Sequence, residues 1–214
     1  MSHILVVGAS RGVGLETVRA ALAAGHSVRG LARSAAAIPI ADPKLEKIAG
    51  DALDPPVVER ALQGVDGVIQ ALGISFDSAT LIGGTTLFSR ATRVLVDAMR
   101  FKGVRRLVAV TGLGAGDSRG RGGLLYDAIA FPLVLKRVYD DKDVQEQIIK
   151  SSGLDWTIVR PGLLLNGPPT AKARALLEPG SWRAGSVRRA DVAAFLVEEL
   201  ETGAFVGRTP LLIE

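Results

Sequence analysis

The sequence predicts an α/β protein: a Rossmann-like, doubly wound parallel sheet with helices on both faces and a small C-terminal substrate-side region. Three observations predict it. Short runs rich in Val, Ile and Leu recur at residues 4–7, 28–32, 68–72, 107–111 and 157–159. They lack polar alternation, as strands covered on both faces do. Helix-like stretches lie between them at 13–24, 55–63, 85–102 and 133–152, closed by Gly25, Gly64, Gly103 and Gly153. A glycine-rich turn follows directly on the first run, and such alternation with short connections gives an open doubly wound sheet.

The remaining elements follow in order. Residues 45–49 form a weaker strand candidate, and Asp54-Pro55-Pro56 is a helix start with aspartate as cap and proline in the first turn. Arg189-Ala190-Asp191 opens one more amphipathic helix, reaching Leu200, and residues 208–213 suit a last strand. Two segments, 112–123 and 163–185, break the alternation and are expected as loops, the first for the most part a flexible solvent loop. No repeat or linker divides the chain, so residues 1–214 are expected to form a single Rossmann-like domain.

Composition narrows the classes. With 48% hydrophobic and 22% charged residues the chain buries a full core, and no apolar run is long enough to span a bilayer. An N-terminus without a charged leader-like region points to the cytoplasm. The absence of cysteine excludes a disulfide framework, a thiolate zinc site and a cysteine nucleophile, and His3 and His26 are too few for a histidine-rich metal centre. A net charge of +4 and 5% aromatic residues argue against a nucleic-acid surface.

Chemistry concentrates in Gly8-Ala9-Ser10-Arg11-Gly12-Val13-Gly14. Gly8 permits a tight turn, Gly14 lets the helix pack closely on the sheet, and the backbone of Ser10, Arg11, Gly12 and Val13 can approach a pyrophosphate at the positive end of the helix. Sites for NAD usually carry an acidic residue after the second strand, to accept from the adenosine ribose. Here Arg33-Ser34 stand there instead. A guanidinium offers paired donors and no acceptor, so Arg33, flanked by Arg11, points to the 2′-phosphate of NADP. Arg29 is expected as a solvated surface charge. Asp51, followed by Ala52, is placed to accept from the adenine amino group, and the small Ala71-Leu72-Gly73 turn can pass beneath the ribose.

These residues resemble the small atypical branch of the short-chain dehydrogenase/reductase superfamily, with its NmrA-like members and those of the biliverdin reductase B or flavin reductase type. The likeness spans nearly the whole chain. It is carried by the glycine loop, Arg33, Gly50-Asp51, Ala71-Leu72-Gly73, Val110-Thr111, the run from Ser152 through Arg160-Pro161-Gly162, and Arg189-Ala190-Asp191-Val192-Ala193. The resemblance implies cofactor contacts from Thr111, Lys142 and Pro161. It also implies a Tyr-x-x-x-Lys pair on one helix, with a hydroxyl residue after the fifth strand, as the proton relay.

Lys142 falls at the lysine of that pair, but Val138 stands at the tyrosine and Gly112 replaces a second hydroxyl residue. Tyr139 is one position off, about 100° around the helix, and is expected to point elsewhere. The candidate catalytic residues are therefore Lys142, Tyr139 and Thr111 with an incomplete relay. Tyr139 is either an alternative acid or a packed helix aromatic, and Lys142 either a ribose contact or a solvated helix lysine. The leading reading is an NADP(H)-binding oxidoreductase that passes hydride from NADPH to a small planar acceptor of flavin or quinone type. Its cleft lies around residues 163–185 and Phe131, with Trp182 either stacking on the acceptor or packing. The alternatives are a non-enzymatic NADP-sensing regulator and, third, a sugar-nucleotide epimerase. No metal, nucleic-acid or membrane partner is expected.

Overall fold

The computed structural model of the protein describes residues 1–74, 85–120 and 136–214. Phe131, residues 121–123 of the glycine-rich segment and the first three residues of the helix expected over 133–152 lie outside them.

The strands are β1 (His3–Val7), β2 (Ser27–Ala32), β3 (Leu45–Ala49), β4 (Gly67–Gln70), β5 (Arg106–Val110), β6 (Asp155–Pro161), β7 (Leu163–Leu165), β8 (Arg174–Leu176), β9 (Ser186–Arg188) and β10 (Leu211–Ile213). The helices are α1 (Gly12–Ala23), α2 (Pro55–Ala61), α3 (Leu87–Lys102), α4 (Lys136–Lys150) and α5 (Arg189–Thr202). The main sheet has eight strands in the order β3-β2-β1-β4-β5-β6-β10-β8. Every pairing is parallel except that of β8 with β10, and β7 pairs with β9 separately. This is the doubly wound Rossmann order, with its reversal between β1 and β4.

Side-chain alternation in the central strands divides the core. Ile4 and Val6 join Val28, Ile69, Val108 and Val159 under α1 and α5, while Leu5 and Val7 join Leu31, Val68, Leu107 and Ile158 under α2, α3 and α4. Both faces are covered, which explains runs without polar alternation. Among the described residues no helix is long and apolar enough to cross a membrane, and no group of His, Asp and Glu could hold a metal ion.

Several expectations need correction. The segment 163–185 is not simply a loop: it contains β7, β8 and a 3₁₀ turn at Pro179–Ser181. Strands of three residues are too short to show a period, and their partners are β9 and β10, distant in sequence. The described part of 112–123 is packed, with Leu113, Ala115 and Ser118 buried. Its fold is set by Ser118, whose hydroxyl donates to the Ala115 carbonyl and accepts from the Gly114 amide. Asp54 occupies the cap position of α2 without a side-chain hydrogen bond. Arg29 is not a solvated charge: its side chain is 12% exposed, pairs with Glu46 at 2.6 Å and donates to the Ala61 and Gln63 carbonyls.

A second half-buried arginine, at the start of the interior strand β5, ties the sheet to α5. Arg106 meets Glu199 at 2.7 Å, and Glu199 also accepts from the Thr157 hydroxyl and the Phe205 amide. Burial lowers the affinity of Arg106 for its proton, against the opposing charge and hydrogen bond of Glu199. Removing one partner of such a pair leaves the other charged and desolvated. Glu199→Ala should therefore lower unfolding free energy by about 3–5 kcal/mol, read from the urea midpoint.

Candidate functional site

The turn between β1 and α1 sits at the reversal of strand order, where the crossovers on the two sides leave a crevice at the carboxyl edge. Gly8 has φ 91°, and its amide donates to the Leu31 carbonyl at 2.9 Å. A Cβ on Gly8 would lie 2.7 Å from the Ala71 carbonyl oxygen, and one on Gly14 would overlap the carbonyl oxygen of Gly8. Only glycine lets the turn approach the end of β4 and the helix close onto the turn. Arg11 stands at the cap position of α1 in extended backbone and makes no side-chain capping bond to the helix, and the first turn of α1 holds no acidic residue. The leading amides of α1 thus remain donors at the positive end of the helix dipole.

Ser10 is half-buried in this turn, Arg11 and Gly12 are exposed, and Val13 is buried below them. Arg33 and Ser34 are exposed immediately past the end of β2, and among the described residues no acceptor engages the Arg33 guanidinium. Asp51 and Ala52 follow β3, where one Asp51 oxygen accepts from the Leu53 amide at 3.0 Å. Ala71, Leu72 and Gly73 follow β4, with the Ala71 amide on the Val7 carbonyl at 2.9 Å. The structure therefore gathers these four groups at the carboxyl ends of adjacent parallel strands. The turn suits the diphosphate of a dinucleotide: it offers amide donors, a close-packed glycine cradle and no competing carboxylate.

Across the crevice, α4 lies against the end of β5. Lys142 is 8% exposed, and its Nζ donates to the Thr111 carbonyl at 3.0 Å while lying 4.0 Å from the centre of the Phe88 ring. Burial pushes its pKa down to about 8, against the opposing charges of Glu146 and Asp141. Of the two readings left by the sequence, a solvated helix lysine is excluded. Asp141, next in the helix, accepts from the Phe88 amide at 2.8 Å and so caps α3 from outside.

The hydroxyl of Thr111 donates to Glu146 Oε1 at 2.9 Å, so its proton is directed into the protein. Glu146 also takes Arg160 Nε at 2.9 Å, Arg160 Nη2 at 2.6 Å and Lys150 Nζ at 3.2 Å. Burial favours the neutral form of Glu146, but the hydrogen bonds and charge of Arg160 outweigh it and hold the carboxyl below its ordinary range. Arg160 is fully buried and also pairs with Asp117 at 2.6 Å.

Tyr139 does not point elsewhere. Its hydroxyl lies where a side chain on Gly112 would have to go, 2.7 Å from the position of the missing Cβ. Residues three apart share a helix face as do residues four apart, so Tyr139 and Lys142 both reach the segment after β5. Val138, at the expected tyrosine position, is buried. Pro161 is buried at the end of β6, its carbonyl accepting from the Leu113 amide at 3.0 Å. Trp182 is a packing residue: 7% exposed among Leu113, Leu211 and Ile213, it donates from Nε1 to the Leu176 carbonyl at 3.0 Å.

Two residues of α5 are legible in the sequence only as a helix start and a family landmark. Asp191 accepts from the Thr170 amide at 2.9 Å and the Ala171 amide at 2.8 Å, fixing the chain beyond β7. Arg189 reaches the glycine turn, its Nε 4.0 Å from the position of a Cβ on Gly12. The charge at a helix start was the available signal, but its neighbour comes from the other end of the chain.

Comparison with known proteins agrees with this geometry. A family model described as NAD(P)H-binding matches residues 8–202. An uncharacterized chloroplastic protein of Arabidopsis thaliana is 31% identical over 205 residues, which cover 92% of this chain and 71% of that protein. An NAD(P)H azoreductase of Xenophilus azovorans is 27% identical, over 92% of this chain and 63% of its own length, so this chain spans less than two thirds of it. The solved structure of ChuY, an anaerobillin reductase of Escherichia coli O157:H7, superposes with a TM-score of 0.80 at 30% identity, covering 100% of this chain and 97% of that one. The chain belongs to the NAD(P)H-binding family and is similar to oxidoreductases built on the atypical short-chain dehydrogenase/reductase fold.

Proposed function

We propose that the protein is an NADPH-dependent reductase that delivers hydride to a small planar acceptor of flavin or quinone type. The observation that carries this reading is the pairing, across one crevice, of the uncapped start of α1 with the buried Lys142 beneath the end of β5. Bound nicotinamide supplies the hydride. Gly8, Ser10, Arg11, Gly12 and Val13 hold the diphosphate, Arg33 with Ser34 and Arg11 selects the 2′-phosphate, and Asp51, Ala52, Ala71, Leu72 and Gly73 line the adenosine. Lys142 holds the nicotinamide ribose beside Thr111 and Pro161. The two relatives named as reductases support a reductase of a conjugated acceptor.

The proton balance fits such an acceptor. NADPH, the oxidised acceptor and one proton give NADP⁺ and the dihydro acceptor, and the proton comes from solvent. Thr111 donates inward and Val138 stands at the relay position, so the chemistry rests on proximity and orientation. The same two features favour a second reading, an NADP-sensing regulator without turnover.

Three outcomes are expected. NADPH absorbance should fall with at least one member of a panel of flavins, quinones and azo dyes. Tight NADPH binding without oxidation across that panel supports the sensor. Arg33→Ala should weaken NADP⁺ by about ten- to hundredfold, the loss of a charge-assisted contact, and NAD⁺ by less than twofold in calorimetry. Equal losses would contradict the 2′-phosphate assignment.

The third outcome concerns pH. In the folded chain Lys142 releases its proton near pH 8, and in the unfolded chain near the ordinary lysine value of 10.5. Between these values the unfolded state holds the extra proton, so this lysine makes stability rise with pH across that window and opposes folding below it. In urea titrations between pH 7 and 10, Lys142→Met should remove that rise. An unchanged slope would mean that Lys142 keeps an ordinary affinity for its proton.

A further inference from the structure

We infer that Arg189 is a third arginine of the cofactor site, clamping the diphosphate from the side opposite Arg33, and that Asn166 sets its orientation. The inference rests on the cofactor reading above and goes beyond it by adding a residue from the far end of the chain. Arg189 is the first residue of α5. Its Nη1 donates to Asn166 Oδ1 at 2.8 Å and to the Leu164 carbonyl at 3.2 Å, which holds the guanidinium plane against β7. Its Nε lies 4.0 Å from the position of a Cβ on Gly12. Among the described residues no acceptor engages Nε or Nη2.

A half-buried guanidinium with two nitrogens unengaged, facing the uncapped end of a helix, is matched to an anion. Position decides which anion. Arg33 arrives from the end of β2, on one side of β1 in the sheet, whereas Arg189 opens α5, which packs on β4, β5 and β6 on the other side. The 2′-phosphate belongs to the Arg33 side. What remains within reach of Arg189 is the diphosphate, common to NAD and NADP.

The same contacts tie the cofactor site to the substrate side. Asn166 and the Leu164 carbonyl lie in the segment leading from β7, and Asp191, two residues after Arg189, fixes Thr170 and Ala171 further along it. A diphosphate on Arg189 thus bears on the strand that leads into the proposed acceptor cleft.

The test is calorimetric titration of the full chain with four ligands: NADP⁺, NAD⁺, ADP, which has the diphosphate but no 2′-phosphate, and adenosine 2′-monophosphate, which has the reverse. Arg189→Met should weaken NADP⁺, NAD⁺ and ADP alike, by about tenfold or more, and leave adenosine 2′-monophosphate within twofold. Arg33→Ala should weaken NADP⁺ and adenosine 2′-monophosphate and leave NAD⁺ and ADP within about twofold. Asn166→Ala, a milder change that keeps the guanidinium, should weaken the first three by several-fold and serves if Arg189→Met does not fold. Unchanged ADP affinity in the folded Arg189→Met protein, or in Asn166→Ala where Arg189→Met does not fold, would overturn the inference while leaving the cofactor reading intact. Selective loss of NADP⁺ over NAD⁺ would likewise overturn it. Failure of the unmodified chain to bind any of the four would sink the cofactor reading itself.

Discussion

The approach of one turn to one strand end governs the site. Gly8 lies so close to the Ala71 carbonyl, and Gly14 so close to Gly8, that no side chain fits at either position. That contact brings α1 down onto the sheet at the reversal of strand order and leaves its first amides without a side-chain acceptor. A helix start buried without partners is costly, whereas one at the mouth of a crevice is a standing site for an anion. The placement of Arg33, Asp51 and Ala71 at the ends of neighbouring strands follows from the same parallel order.

A second constraint operates at the end of β5. Lys142, Glu146 and Arg160 are all buried, and the Arg160–Glu146 pair is closed by Thr111, Lys150 and Asp117. Charges of this kind are expensive to desolvate, and one terminal nitrogen of Arg160 has no hydrogen-bond partner among the described residues. Lys142 differs from the other two. Its Nζ donates to the Thr111 carbonyl at the end of β5 and lies over the Phe88 ring. Stability alone would favour an apolar residue there, and the proposed ribose contact is what gives the lysine a use.

Much of this was legible in the sequence because the signals were local. Unalternating strands, glycine after each helix and the spacing of the first glycines gave the main sheet and the phosphate turn. What stayed hidden depended on pairs distant in the chain. β8 is three residues long and exists through its pairing with β10, and Arg189 acquires meaning only beside Gly12. The place of the Tyr139 hydroxyl is hidden for another reason. The four-residue spacing from Lys142 lands on Val138, but a position three back shares the face, and the space for the Tyr139 hydroxyl is made by the missing side chain of Gly112. Asp54 shows the reverse error, a residue with the right identity at the cap that makes no capping bond.

The central claim is that the first amides of α1 receive the phosphates of a nicotinamide dinucleotide. Backbone amide NMR of the isotopically labelled chain, titrated with NADP⁺, tests it most directly. The account predicts that the Gly12 and Val13 resonances shift together and saturate with the bound fraction. Saturable binding that leaves both amides unmoved would contradict it.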